Sequence, residues 1–432
     1  MAGDYQRVWR QHPGNLRRTA RADTGRDTPW RAQGEYRYRP APGLHRCRAP
    51  FPGGAPCRIR PAQVPGRDHH GDEGHLCGAL RSLRHLRPCR QDQGALADCH
   101  AGSLRRGPAG LVDPIASGRD VAPGAASLQA LRNALPRFGG ACDLPGLDEY
   151  LAFYGLDFRD SPAGSRYRLG RVTSGGYELA VQCWEQPDAR HTLLLVHGFL
   201  DHVGLYRHLI GHALQRQCNV IAFDLPGHGL STGEPAAIGD FSEYADAIQA
   251  VLDAVDVSPL PLQAMAQSTG GAALVAYARQ CAAWPFTGTV LLAPLLRPAG
   301  WLRVRAAHAL VHRFVDTVPR GFAQNSSDAE FLAFVRADPL QSRRIHVSWV
   351  GALRRWLADL PIADLGEGPA LLVQGDADGT VDWRFNLPRY GQLFPGLRIE
   401  LLHGAGHQLA NESEALRERY LRQVDRYLGW GC

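Results

Sequence analysis

The pattern of hydrophobic and polar positions changes near residue 125. Before it, Arg, Gly, Pro and His crowd the chain and no period of 2 or 3.6 persists. After it, Leu128, Leu131 and Leu135 have helical spacing. Tyr167–Val172 and Tyr177–Trp184 read as strands, and Ser174-Gly175-Gly176 between them is a hairpin signal. From Pro187 onward, short apolar runs alternate with amphipathic segments. The runs are Thr192–Val196, Asn219–Phe223, Leu262–Met265, Thr289–Ala293, Ala370–Val373 and Arg398–Leu402. Runs apolar at nearly every position suit strands buried on both faces. Their alternation with helices predicts a mostly parallel sheet with right-handed crossovers and helices on both sides. Residues 297 to about 365 interrupt that alternation. Phe331, Phe334 and Val335, then Trp349, Leu353, Trp356, Leu357 and Leu360, have helical spacing and predict a helical cap over the C-terminal edge of the sheet.

Charge sharpens the boundary. Residues 1–120 hold 21 Arg against 11 Asp and Glu, and the remainder holds 27 Arg against 31 acids. The net charge of +6 therefore comes wholly from the first segment, and the body of the protein is mildly acidic. Such a segment cannot bury enough apolar surface to offset its chain entropy. Residues 1–125 are thus expected to be a disordered or spurious N-terminal extension, as GC-rich DNA read in a wrong frame would give, and 126–432 to be the folded domain. The absence of Lys and the abundance of Ala, Gly, Arg and Pro suggest a bacterial source.

Two sharper readings of the first segment fail on spacing. Cys47, Cys57, Cys77, Cys89 and Cys99 lie among His70, His75, His85 and His100, but no Cys-x-x-Cys pair occurs, so no metal site is expected. Arg17-Arg18 and Arg105-Arg106 are short and acids intervene, so no nucleic-acid partner is expected. No uncharged apolar run reaches the roughly 18 residues a membrane span needs. The N-terminus lacks a secretory pattern and the ten Cys are scattered. A cytoplasmic location is the default expectation.

The chemistry begins at Leu262–Gly271, which reads strand, sharp turn, helix, with Ser268 at the turn. A serine there is thrust out at the top of the sheet, and small residues two before and two after it let strand and helix approach. Ala266 and Gly270 stand there, Ala where Gly is usual. A hydroxyl needs a base, and the base needs a carboxylate to fix its tautomer. In this arrangement acid and His follow the serine on loops after late strands. Asp376 and Asp378 follow Ala370–Val373; His403 and His407 follow Arg398–Leu402. Asp378 better matches a Gly-x-x-Asp-x-x-Val spacing, and Asp376 is expected to hold loop amides. His407 lies past two glycines, whereas His403 adjoins the strand. The expected set is Ser268, Asp378 and His407. In hydrolases of this fold, backbone N–H groups after a His-Gly and after the nucleophile bind the oxyanion; here these are Phe199 and Thr269.

His197-Gly198-Phe199-Leu200-Asp201-His202 with Tyr206 resembles the oxyanion-hole stretch of the α/β-hydrolase group of monoacylglycerol lipases and bacterial lysophospholipases, also called serine aminopeptidase-like hydrolases. Phe223-Asp224-Leu225-Pro226-Gly227-His228-Gly229-Leu230-Ser231-Thr232-Gly233, followed by Phe241 and Tyr244, resembles the loop after their next strand. The resemblance covers roughly residues 165–430. Ala266, and Leu225-Pro226 where an Arg is frequent, depart from the pattern. The resemblance implies an α/β-hydrolase fold, a serine mechanism without cofactor, and a small-molecule ester or lipid as substrate, reached with at most transient contact with a membrane surface. Apolar cap residues favour a medium or long acyl ester. Carbon–carbon bond hydrolysis and peptidase activity on the same fold, and a noncatalytic scaffold, are the alternatives; Thr269 stands where prolyl aminopeptidases usually carry Trp.

Overall fold

In a computed structural model of the protein, the described residues are 122–431 without 141–142, 160–164, 257–258, 361–364, 366–367 and 369. The expectations for residues 1–121, including the Cys47–His100 cluster and the Arg pairs, lie outside them.

Eight strands form one sheet: β1 (Arg166–Ser174), β2 (Tyr177–Glu185), β3 (His191–Val196), β4 (Cys218–Phe223), β5 (Leu262–Gln267), β6 (Thr289–Leu292), β9 (Ala370–Gly375) and β10 (Arg398–Leu402). Their order is β1-β2-β4-β3-β5-β6-β9-β10. β2 runs antiparallel to both its neighbours, and the six strands from β4 to β10 are mutually parallel. The mostly parallel α/β sheet read from the apolar runs is therefore present. Gly175-Gly176 makes a two-residue hairpin in which Ser174 pairs with Tyr177, and Gly175 takes a positive φ of 56°.

Successive strand residues point to opposite faces, so each strand feeds two cores. Leu193 and Leu195 of β3 and Val220 and Ala222 of β4 face one core. That side is covered by α1 (Ala125–Ala134), α2 (Leu147–Tyr154), α3 (Arg207–Gln215) and α10 (Glu414–Leu428). Leu194, Val196, Ile221 and Phe223 face the other, under α4 (Ser242–Ala254), α5 (Thr269–Ala278) and α9 (Trp383–Leu393). This double burial is why the strands read as unbroken apolar runs rather than alternating ones. The helix α2 is not among the expected elements because its helical spacing, Leu147, Tyr150, Leu151 and Tyr154, lasts only eight residues. It is bounded by Gly146 and Gly155, both left-handed, and buries five of its side chains.

β5 and β9 each extend two residues past the apolar run that predicts them, through Gln267 and Gln374-Gly375. The glutamines are polar but buried, and each is hydrogen-bonded across loops near the sheet edge. Residues 297–360 form α6 (Trp301–Val311), α7 (Ala329–Ala337), α8 (Val347–Asp359) and the short antiparallel pair β7 (Thr317–Pro319) and β8 (Arg344–His346). No helix among the described residues is long and apolar enough to cross a membrane.

Candidate active site

β5 delivers the chain to Ser268, and α5 begins at the next residue. Ser268 has φ 52° and ψ −115°, a region that L side chains rarely occupy. Its neighbours hold it there. Its N–H donates to the Leu292 carbonyl at 2.9 Å, and its own carbonyl accepts from the N–H groups of Gly271 and Leu295 at 3.0 and 2.9 Å. Strand and helix nearly touch: a Cβ added at Gly270 would lie 2.4 Å from the Val196 carbonyl oxygen. Ala266 keeps its methyl because β5 there lies regularly between β3 and β6, paired with Val196 and Leu291.

The structure brings Ser268, His407 and Asp378 together. Ser268 Oγ lies 2.9 Å from His407 Nε2, and His407 Nδ1 lies 2.8 Å from Asp378 Oδ2. All three are buried. Asp378 Oδ1 accepts from the N–H groups of Thr380 and Val381 at 2.8 and 3.1 Å, and Oδ2 also accepts from Gln374 Nε2 at 2.9 Å. Burial opposes its charge, yet the facing His407 and these donors outweigh burial and hold the carboxyl below the usual range. Asp376 is turned elsewhere: it pairs with the exposed His403 at 2.7 Å and accepts from the Gly404 N–H at 2.8 Å. The loop carrying His407 is pinned by the Asn325 carbonyl, which accepts from the N–H groups of His407 and Gln408.

The Phe199 and Thr269 N–H groups have no acceptor among the described residues, and both residues line the same cavity as Ser268. The loop bearing Phe199 is built from buried polar contacts. His197 Nδ1–H donates to the Gly198 carbonyl, and Nε2 accepts from the Leu225 N–H at 2.8 Å. Burial holds its pKa far below the ordinary value, so His197 is a neutral clamp. The Gly198 N–H donates to the Tyr206 hydroxyl, which donates to Asp201 Oδ2, both at 3.0 Å. Gln408, next to His407, donates to Asp201 Oδ1 at 2.9 Å. Burial raises the Asp201 pKa, against the pull of Tyr206, Arg320 and Gln408. This chain of contacts ties the Phe199 loop to the His407 loop.

The cavity in front of Ser268 holds about 310 Å³ and is mainly apolar. Phe322, Phe331, Val335, Trp349 and Val350 from residues 297–365 wall it, with Arg320 and Arg336 as its cations. A hydroxyl in line with an imidazole and a carboxylate, beside two open amides, is what nucleophilic attack on a carbonyl requires. Gln374, Asn325, Gln408 and Arg320 were not singled out in the sequence. Asp201 and Tyr206 lie in the His197–Tyr206 stretch, where no role for them is legible from sequence. Only Gln374 and Gln408, adjoining expected loops, carried a local signal. Among the described residues no three His, Cys, Asp or Glu side chains are gathered as a metal site would need.

The profile of the family described as serine aminopeptidase, S33, matches residues 187–414. Monoglyceride lipase of Mus musculus is 25% identical over 287 residues, 60% of this chain and 92% of that protein. Phospholipase YtpA of Bacillus subtilis is 24% identical over 209 residues, 46% of this chain and 80% of that protein. Among solved structures, a soluble variant of monoglyceride lipase from Saccharomyces cerevisiae, in complex with a substrate analogue, shares the fold. Its TM-score is 0.53 at 17% identity, over 60% of this chain and 95% of that one.

Proposed function

The chain belongs to the serine aminopeptidase S33 family of α/β-hydrolases, and from that premise we propose that it cleaves carboxylic esters through an acyl-enzyme intermediate, as a lysophospholipase or monoacylglycerol lipase does. Ser268 is the nucleophile, His407 its base and Asp378 the acid that orients the base. The observation that carries this is the unbroken line from Ser268 Oγ through His407 to Asp378 at 2.9 and 2.8 Å. It opens into a cavity walled by apolar side chains.

Ser268 Oγ attacks the ester carbonyl carbon as its proton passes to His407 Nε2. The ionised Asp378 stabilises the resulting imidazolium through Nδ1–H. Negative charge gathers on the former carbonyl oxygen and is stabilised by donation from the Phe199 and Thr269 N–H groups. Removing one such donor typically costs roughly 3–4 kcal/mol of barrier. The tetrahedral intermediate collapses, and the leaving alkoxide takes the proton from His407. Water then gives a proton to His407 and attacks the acyl carbon. This second intermediate collapses as His407 returns the proton to Ser268 Oγ, releasing a carboxylic acid that ionises in solvent.

Residues 297–365 act as a cap, and their apolar side chains accept a medium or long acyl chain. The catalytic domain takes in residues 126–432. Labelling with a fluorophosphonate tests the reaction class: wild type reacts and Ser268→Ala does not. Equal labelling of both would remove the serine mechanism. A nitrophenyl ester series of rising acyl length tests the substrate, and activity confined to acetate would remove the lipid assignment. Faster turnover of aminoacyl nitroanilides than of any ester would move the enzyme to peptidase chemistry.

A further inference from the structure

A second cavity, of about 750 Å³, lies away from Ser268 between α6, α8 and α9. Five Arg and two His line it, and no carboxylate does among the described residues. Arg297 is neutralised by Asp382, at 2.6 Å, and guanidiniums of Arg297 and Arg389 lie over the Phe385 ring. Among the described residues none of the other cations makes an ion pair, although Asp382 also acts on Arg389 without contacting it. Arg354 donates to His308 Nδ1 at 3.0 Å, Arg355 to the Gly239 carbonyl and Arg389 to the Phe385 carbonyl. None of these partners carries a negative charge. Arg305 has no hydrogen-bond or ion-pair partner among the described residues.

Gathering like charges around a concave wall is unfavourable unless a counter-ion occupies it, and a walled cleft focuses the field. Two groups register that field. His308 is held below its ordinary pKa by burial, then by Arg354 and His312. Arg389 is lowered by burial, then by Arg297, against a smaller opposing pull from Asp382. The rest of the wall is apolar: Leu296, Trp301, Leu357, Leu360 and Leu393, with Leu302 standing 74% exposed. A simple inorganic ion would fill little of this volume and would leave that apolar wall unused.

We propose that this cavity binds a phosphorylated amphiphile, its phosphate among Arg305, Arg354 and Arg389 and its apolar body along the leucines and Trp301. A phosphate monoester brings close to two negative charges and three acceptor oxygens, and guanidiniums engage such groups bidentately. The site is distinct from the catalytic cavity and does not rest on the reaction proposed for Ser268. The two cavities share a wall: on α6, Val304 lines the catalytic one, while Trp301, Arg305 and His308 line this one.

Calorimetric titration of the full chain with octyl phosphate, inorganic phosphate and octyl glucoside tests it. Octyl phosphate is expected to bind at least about tenfold more tightly than either control, because only it carries both halves of the ligand. The Arg305→Gln/Arg354→Gln variant loses about tenfold of that affinity, and Arg305→Lys/Arg354→Lys recovers part of it. Both variants keep the wild-type melting temperature and nitrophenyl ester turnover. Undiminished binding in the Gln variant overturns the site, as does purely competitive inhibition of ester turnover with an inhibition constant equal to the dissociation constant. Equal affinity for inorganic phosphate overturns the amphiphile.

Discussion

Trp349 stacks on Phe199 face to face, with ring centroids 3.9 Å apart and planes 17° from parallel. Trp349 belongs to α8; Phe199 supplies one of the two open amides beside Ser268. The stack is braced from behind, since Trp349 Nε1–H donates to the Tyr244 hydroxyl at 3.1 Å and its ring leans on Phe241. Residues of α8 therefore grip Phe199, whose backbone N–H is the oxyanion donor in the proposed mechanism. Trp349→Ala is expected to lose about 3 kcal/mol of stability from the vacated volume. It should also lower kcat about tenfold, because a loosened Phe199 amide stabilises the transition state less well. Trp349→Phe restores the stack and most of the rate. Ester kinetics and urea melts of both variants check this; an unchanged kcat in Trp349→Ala would separate the stack from the amide.

Asp378→Asn and Asp376→Asn should diverge sharply. In the first, His407 Nδ1 loses the carboxylate that fixes its tautomer, and kcat is expected to fall by roughly 10⁴. In the second, only the exposed pairing with His403 and the Gly404 amide is disturbed, and kcat should stay within about twofold. The lowered pKa of Asp378 adds a sign. Its stabilising contribution is present above its unfolded value of about 3.9 and is lost only as pH falls through the still lower folded value. Steady-state rates of the two variants, measured side by side at neutral pH, decide the assignment.

Gly270→Ala and Ala266→Gly probe the two small positions of the elbow. A Cβ at Gly270 would meet the Val196 and His197 carbonyl oxygens at 2.4 and 2.8 Å, both backbone atoms that cannot swing away. The variant is expected to lose about 3 kcal/mol or to fail to fold. Ala266 sits inside β5 with its methyl packed in the core, so Ala266→Gly should cost about 1 kcal/mol and leave the ester rate intact. Thermal melts rank the two, and a stable, active Gly270→Ala would contradict the contact distances.

The strands were legible because a sheet covered on both faces demands apolar residues at every position, and that demand is local. Ser268 was legible for a similar reason, since the turn needs small neighbours within two residues. What stayed hidden depends on partners distant in sequence. Asp201 and Gln408 are separated by 207 residues, and nothing near either indicates that they meet. Gln267 and Gln374 broke the apolar runs and shortened two predicted strands, although both are buried and bonded. The cationic cavity was equally invisible. Arg297, Arg305, Arg354 and Arg389 are ordinary surface arginines along the chain and become a cluster only when three helices converge.

His202 and Asp338 form a buried pair, 2.8 Å apart, that also receives the Tyr154 hydroxyl at 2.6 Å and the Leu340 N–H at 2.9 Å. It joins three parts of the chain: α2, the loop after β3 and the segment between α7 and β8. Burial would lower His202, but Asp338, followed by Asp224 and Asp201, raises it above the ordinary value. Burial would raise Asp338, but His202, Tyr154 and the Leu340 amide lower it. A raised histidine stabilises fully below its unfolded value of about 6.5 and loses that contribution as pH rises through the folded one. A lowered aspartate stabilises above about 3.9 and loses its contribution as pH falls through the folded value. The pair therefore contributes most between about pH 4 and 6.5. Asp338→Asn leaves His202 buried without its counter-charge, and removing one partner of such a pair costs about 3–5 kcal/mol. That cost is expected in full near pH 5.5 and should shrink as pH rises through the folded His202 value, where the neutral ring no longer needs the charge. Urea melts of wild type and Asp338→Asn at about pH 5.5, 7.5 and 9.5 measure it. A difference that stays flat across this range would mean that the contact acts as a neutral hydrogen bond, with no ion pair behind it.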